Sequence, residues 1–316
     1  MTPTLRAALA AALLAAPASA QTAVTIGMQL EPPMLDPTAG AAAAIDEVVY
    51  ANVFEGLTRF APDGSIRPAL AREWEISENG RAYTFHLVEG ATFHDGTAFD
   101  AADVKFTLDR ARAEDSTNAQ KPLFDAIESV EVVDPATVRL RLARSEGNLL
   151  FNLAWGDAVI VAPESAATNA QSPVGTGPFR FAEWRRGDSV TLERNPAYWG
   201  DPVALERATF RFIADPTAAF AAMMAGDIDA FPGFPAPELL EAFEMDPRFR
   251  VIVGSTEGET ILAMNNARPP LDDIRVRRAI AHAVDRQALI DGAMFGYGTP
   301  IGTHFAPHHP AYVDLT

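Results

Sequence analysis

Three groups of residues in this 316-residue chain have the types and spacing that reaction chemistry would need. His304, His308 and His309 fall within six residues and offer imidazole ligands, with Asp314 as the nearest carboxylate. A structural zinc or nickel site needs three or four convergent ligands held by further hydrogen bonds. Pro300, Pro307 and Pro310 punctuate this segment, so it reads as a solvated loop, and neither metal nor cofactor is expected. Asp227/Asp229 and Asp272/Asp273 are paired carboxylates of the kind used in acid–base catalysis. The first pair alternates with Ile228 and Ala230, which turns both acids to the solvent side of a strand. The second pair reads as a helix cap. Gly175-Thr176-Gly177 invites comparison with a phosphate loop. It lacks a third glycine at dinucleotide spacing and a Gly-Lys-Ser/Thr ending, and Pro178 removes an amide that would cradle phosphate. Cysteine is absent, which excludes thiolate nucleophiles, thiolate metal sites and disulfides. No Gly-x-Ser-x-Gly or His-Glu-x-x-His spacing occurs. The expectation is a protein that is not an enzyme. A secreted hydrolase is the distant alternative, because triads assemble in space rather than in sequence.

The elements that must position any site are legible from periodicity. Val24–Leu30 reads as a first strand, stopped by Glu31-Pro32-Pro33 and Asp36-Pro37. Ile45–Leu57 has helical spacing in Ile45, Val48, Val49, Val53 and Leu57, with Asp46 and Glu47 in its first turn favouring the dipole. Arg81–Val88 alternates with Tyr83, Phe85 and Leu87 on one face and follows an Asn79-Gly80 hairpin signal. His86 belongs to the other, polar face of that strand, and His94 belongs to a turn. Asp100 predicts an N-cap for a helix over Ala101–Arg112, with Asp103 completing a capping box. Ser129–Val133 and Thr137–Leu142 flank Asp134-Pro135 as an antiparallel pair with one wet face. Later segments predict a strand at Arg207–Ile213, a helix from Asp215-Pro216 to Gly226 and a strand at Asp227–Phe231. A helix at Pro237–Met245 and a strand at Phe249–Val253 follow. Last comes a capped helix that buries Val276, Ile280, Ala283, Val284 and Leu289. Strands and helices mixed with hairpins indicate an α/β class whose sheets are partly antiparallel.

Residues 1–20 read as an export signal: Arg6 is the only charge, Ala7–Ala16 is apolar, and Pro17-Ala18-Ser19-Ala20 offers a cleavage site. The apolar run is too short to cross a hydrocarbon core of about 30 Å. With no cysteine to acylate, the exported chain is expected in the periplasm. The formal net charge is −17, and removing Arg6 makes the mature form one unit more negative. Such a surface repels phosphate backbones and anionic headgroups, so nucleic acid is not an expected partner. It also gives solubility, and a monomer is expected.

Three segments together carry a resemblance. Gly90-Ala91-Thr92-Phe93-His94-Asp95-Gly96-Thr97 leads into the capped helix. Val174-Gly175-Thr176-Gly177-Pro178-Phe179 precedes a strand and then Asn195-Pro196-Ala197-Tyr198-Trp199-Gly200. Pro270-Leu271-Asp272-Asp273-Ile274-Arg275-Val276-Arg277-Arg278-Ala279-Ile280 closes the series. In this order the chain resembles the extracytoplasmic solute-binding proteins of peptide- and nickel-type ABC importers (family 5), from about Val24 to about Pro310. The resemblance implies a two-lobed, periplasmic-binding-protein-like fold with mixed sheets. Residues 22–48 and 175–260 would form lobe I, residues 49–174 a subdomain inserted in it, and residues 261–316 the start of lobe II. Most of that lobe would be missing, as in a truncated record. It implies capture of di- or oligopeptides by hinge closure and delivery to an inner-membrane permease. Nickel chelates, glutathione or another small solute are the alternatives. Solute contacts would then come from small residues near strand ends. Gly40, Ala41, Ala42 and Ala43 either let a bulky solute approach or form a flexible loop. Trp155, Gly156 and Asp157 offer an aromatic plate and a carboxylate for a ligand amine, unless Trp155 fills the subdomain core.

Overall fold

In the computed structural model, which describes residues 22–256, 258–309 and 311–316, the alternating stretches of sequence become strands and the capped ones helices. The strands are β1 (Ala23–Met28), β2 (Thr58–Phe60), β3 (Ile66–Pro68), β4 (Ala71–Ile76), β5 (Ala82–Leu87), β6 (Ile127–Asp134), β7 (Thr137–Leu142), β8 (Phe179–Arg185), β9 (Ser189–Arg194) and β10 (Arg207–Phe212). The α-helices are α1 (Ala43–Val49), α2 (Ala101–Arg112), α3 (Leu149–Asn152), α4 (Pro216–Ala225), α5 (Leu240–Glu244), α6 (Ile274–Ala283) and α7 (Arg286–Ala293). The export signal expected at residues 1–20 lies outside the described residues. Contacts divide the chain into two units. One is the chain up to Ala214 with Ala225–Pro232, and the other is Asp215–Met224 with Gly233–Thr316.

The first unit contains two four-stranded sheets. One, in the order β4-β5-β7-β6, is antiparallel throughout. The other, β1-β10-β9-β8, is antiparallel except for the parallel β1–β10 pair. Strand β5 buries Tyr83, Phe85 and Leu87, and β7 buries Val138, Leu140 and Leu142, as alternation requires. On the wet face Arg141 of β7 is hydrogen-bonded to Glu131 of β6. Helix α2 lies across β6 and β7 and buries Val104, Leu108 and Ala111. Its start is the capping box expected: Asp100 accepts from the Ala102 amide at 2.7 Å, and Asp103 accepts from the Asp100 amide at 2.9 Å.

The second sheet packs on α1, with Met28, Ile45, Val48, Val49, Val53, Phe179, Val190, Leu192 and Phe210 in one apolar core. The two cores share a single extended segment. Ala158, Ile160 and Ala162 point into the first, while Val159 and Val161 point into the second. All five are essentially inaccessible to solvent. A chain with side chains on opposite faces at successive residues can serve two cores only when it is extended.

The helix expected over Ile45–Leu57 stops at Val49. Tyr50 is extended (φ −68°, ψ 130°) and Ala51 takes a left-handed φ of 57°. The carbonyls of Asn52 and Val53 are thereby released from helical pairing and accept the amides of Phe179 (2.9 Å) and Gly177 (3.0 Å). Tertiary hydrogen bonding overrides local helix propensity here. Gly175 and Gly177 are small for the same reason. A Cβ on Gly175 would be driven into the Val53 carbonyl oxygen, and one on Gly177 into that of Asn52. Next along the chain, Glu55 receives Thr176 Oγ1 (2.9 Å), Tyr198 OH (2.9 Å) and Trp199 Nε1 (2.8 Å). Burial holds the Glu55 carboxyl above its ordinary pKa, opposed by those three donors. His94 joins the same turn. The Gly175 amide donates to its Nδ1 at 3.3 Å, which leaves the ring proton on Nε2 to donate to the Gly177 carbonyl at 3.0 Å. His86, on the polar side of β5, is 3.8 Å from Glu75.

The second unit differs more from the sequence reading. Phe243 is buried among Phe220, Phe234 and Phe249, with ring centroids 5.0–5.2 Å apart. The strand expected at Phe249–Val253 does not form, and Ile252 and Val253 are exposed. Asp273 caps α6 through the Arg275 amide at 2.8 Å, but the apolar stripe expected to be buried is not. The helix ends at Ala283, and Leu289 falls on the separate helix α7. Neither helix has a buried residue, because no described element packs over that stripe. In the first unit, the strand expected at Asp227–Phe231 is reduced to one parallel bridge between Ala230 and Ile26. Asp227 and Asp229 are both exposed, as their alternation implies. Among the described residues, no helix is long and apolar enough to cross a membrane.

Two substitutions test the Gly-Thr-Gly clamp. Gly175→Ala is expected to cost at least about 2 kcal/mol, because the obstructing atom is backbone and cannot rotate away. Glu55→Ala, which leaves three donors without an acceptor, is expected to cost about 2–4 kcal/mol. Urea unfolding of each variant against the parent measures both.

Candidate functional site

The short helix α1 brings the two binding segments read from the sequence towards each other. Ala42 has extended backbone, precedes the helix and packs in part against the second core. Gly40 is half-buried, where a Cβ would meet Ile45 and Met34, while Ala41 and Ala43 are exposed. The run leads directly into α1, whose first residue is Ala43. One turn along, on the face that carries Ala43, is Asp46. Its carboxylate lies directly over Gly156, where a Cβ would collide with both carboxylate oxygens.

Trp155, Gly156 and Asp157 form the turn that feeds the extended segment shared by the two cores. Trp155 is not a core residue: it is 37% exposed and meets Phe151 edge-on at 6.3 Å, which in turn meets Phe60 at 5.0 Å. Tyr50 fixes the turn from below by donating its hydroxyl to the Ala154 carbonyl at 2.7 Å. Asn118 holds the other side, donating to the Asp157 carbonyl at 2.8 Å. Asp157 itself is 7% exposed.

Two carboxylates are therefore drawn together in a place that solvates neither well. Burial raises Asp157 from 3.8 to about 6. Burial, and then the charge of Asp157, raise Asp46 from 3.8 to about 6. Each has one oxygen, Oδ1, that is buried and makes no hydrogen bond. Among the described residues neither carboxylate has an ion-pair partner. Asp46 is the residue the sequence reading missed as a binding candidate. In sequence it is an ordinary first-turn acid, and its proximity to Asp157 follows from the packing of α1 against the side-chain-free Gly156.

The three C-terminal histidines do not converge. His304 Nδ1 is 2.7 Å from Glu259, and His309 stacks on Phe305 at 4.6 Å with an interplanar angle of 18°. Among the described residues no three His, Cys, Asp or Glu side chains are grouped to hold a metal.

Comparison with known proteins places this geometry in a family. A family model described as bacterial extracellular solute-binding proteins, family 5 Middle, matches residues 65–316. A glutathione-binding protein of Pectobacterium atrosepticum is 32% identical over 301 residues, covering 93% of this chain and 58% of its own length. Among solved structures, a periplasmic binding protein of Helicobacter pylori in complex with the peptide STSA superposes with a TM-score of 0.81 at 25% identity. The match covers 93% of this chain and 63% of that one. A Campylobacter jejuni protein in complex with nickel and L-histidine superposes with a TM-score of 0.80 at 28% identity, covering 90% and 57%. The chain thus spans less than two thirds of the length of these relatives, and its mixed α/β sheets are part of their two-lobed fold.

The carboxylate pair has a defined pH signature. A carboxyl with a raised folded-state pKa binds more protons folded than unfolded, so stability falls as pH rises from about 4 to about 6. Asp157→Asn is expected to stabilise the protein by about 1–2 kcal/mol at pH 7.5 and to change little at pH 4. Thermal melts at the two pH values check this. An equal effect at both would contradict it.

Proposed function

The chain belongs to the bacterial extracellular solute-binding proteins of family 5, and from that premise we propose that the whole protein is the periplasmic capture component of an ABC importer. Its cargo is a di- or oligopeptide. The observation that carries this reading is the family match, together with relatives whose solutes are glutathione, itself a small peptide, and the peptide STSA. The protein works by hinge closure. The open form admits solute, the solute bridges two lobes, and the closed form engages the permease. Micromolar capture corresponds to about 8 kcal/mol. Driving an open-to-closed equilibrium from about 1:99 to 99:1 uses about 5.5 kcal/mol of differential affinity, so both lobes must touch the solute. No bond in the cargo is made or broken, so the protein is a carrier and not an enzyme.

In the first unit, Ala41, Ala43, Trp155, Gly156 and Asp157 are the residues we assign to solute contact, and Asp46 joins them. The supporting observations are the exposed indole, the small residues leading into α1 and the unpaired carboxylates. The strongly acidic surface disfavours nucleic acid, and the carrier acts as a monomer.

Mass spectrometry of solutes that co-purify with the full-length protein from the periplasm tests the reading. A peptide is expected. Recovery of none, or turnover of peptide or ester substrates by the purified protein, would overturn it.

A further inference from the structure

Three hydrogen bonds join His94 to the Gly-Thr-Gly turn. Its backbone amide donates to the Gly175 carbonyl at 2.9 Å, its Nδ1 accepts the Gly175 amide at 3.3 Å, and its Nε2 donates to the Gly177 carbonyl at 3.0 Å. The last two fix the state of the ring. A backbone N–H can only donate and a carbonyl can only accept, so these partners fit a neutral imidazole with its proton on Nε2. A charged imidazolium donates from both nitrogens. Its Nδ1–H would face the Gly175 N–H, and the contact between them would be lost.

The other ties of the turn run to the Asn52 and Val53 carbonyls, to Asn195 and to Glu55. Asn195 donates to the Gly177 carbonyl at 3.1 Å, and Glu55 is reached through Thr176. Of these only Glu55 titrates. The charges around His94 belong to three elements. Asp95 lies in its own turn and favours the charged ring, whereas Arg180 of β8 opposes it. Arg180 is in turn 3.6 Å from Glu193 of β9. On the segment after α1, Glu55 feels the charge of Arg59. Burial is the largest influence on His94. With Arg180, it holds the ring below its ordinary pKa against the Gly177 carbonyl and Asp95.

We propose that His94 is a proton-operated latch: the closed Gly-Thr-Gly turn admits only the neutral ring, and acidification loosens the turn from the residues that follow α1. The step is proton uptake alone. A proton from solvent adds to the Nδ1 lone pair, the hydrogen bond from the Gly175 amide is lost, and no other covalent bond changes. The latch goes beyond the solute reading and does not depend on it. Its direction distinguishes it from the carboxyls. A ring with a depressed folded-state pKa binds fewer protons folded than free. Its contribution is therefore intact above about pH 6.5 and is lost as pH falls towards the folded value. Asp46, Asp103, Asp157 and Glu55 all have raised pKa values, so acidification strengthens the fold through them. Opening of the turn by acid has the sign of the imidazole.

The test follows this chain and His94→Gln by NMR. Labelled ring nitrogens report the charge and tautomer of His94, whose signal is assigned through its own backbone. Hydrogen exchange, corrected for its intrinsic pH dependence, reports the Gly175 and Gly177 amides. The ring is expected to be the neutral Nε2–H form at pH 7.5 and still at pH 5.5 while the turn is closed. Protection of both amides is expected to fall about tenfold between those values, the factor by which a free ring of pKa about 6.5 takes up protons. In His94→Gln, which does not titrate and whose melting curve reports folding, Gly177 is expected to be equally protected at both. Four results would each overturn the latch: an Nδ1–H tautomer, a charged ring in a fully protected turn, protection that does not fall with pH, or an equal fall in His94→Gln. The first three are read on the unsubstituted chain, so they decide the matter whether or not the variant folds.

Discussion

The carboxylate of Glu55 is the tie on which the first unit depends. It collects a threonine hydroxyl, a tyrosine hydroxyl and an indole N–H from residues more than a hundred positions away, while its own backbone carbonyl accepts the Ile160 amide at 2.8 Å. A charged acceptor with three neutral donors is among the stronger arrangements available to a side chain, and it is directional. It fixes where the Gly-Thr-Gly turn and the Asn195–Gly200 segment sit against the residues following α1. The glycines allow the approach, and the carboxylate gives it a single geometry.

That tie lies beside the seam where two cores share one strand-like segment. Residues 158–162 send alternate side chains into opposite cores, so the segment has no freedom to slide: a one-residue slip would exchange every contact. The turn before it is consequently rigid on one side and solvent-facing on the other. Trp155 is presented outward while Asp157 is pulled inward. A rigid element is a good place to hold a charge at a cost, and the unpaired carboxylates show such a cost in this fold.

The second unit has a different balance. Its aromatic cluster around Phe243 is dense, yet α6 and α7 present apolar stripes with nothing described above them. The cap of α6 forms regardless, because Asp273 needs only its own first turn. Local and tertiary determinants therefore separate cleanly here. Capping is satisfied within a few residues, whereas burial of a stripe needs an opposing surface.

What the sequence determined by itself is whatever depends on neighbours along the chain. The Asp100 capping box, the alternation of β5 and β7 and the hairpin at Asn79-Gly80 were all legible, since their partners lie within a few residues or repeat with a fixed period. The end of α1 at Val49 was not legible, because the Asn52 and Val53 carbonyls are claimed by amides over a hundred residues away. The strand expected at Phe249–Val253 was misread because β propensity without a pairing edge makes no ladder. Of the binding candidates, the exposed indole and the acid at 157 could be named from residue type. Only the tertiary structure decided that Asp46 would stand against Asp157, because their proximity is created by a side chain that Gly156 lacks and by the packing of α1. The electrostatic energy of a pair depends on distance, and distance between remote residues is written in the fold, not in the order of residues.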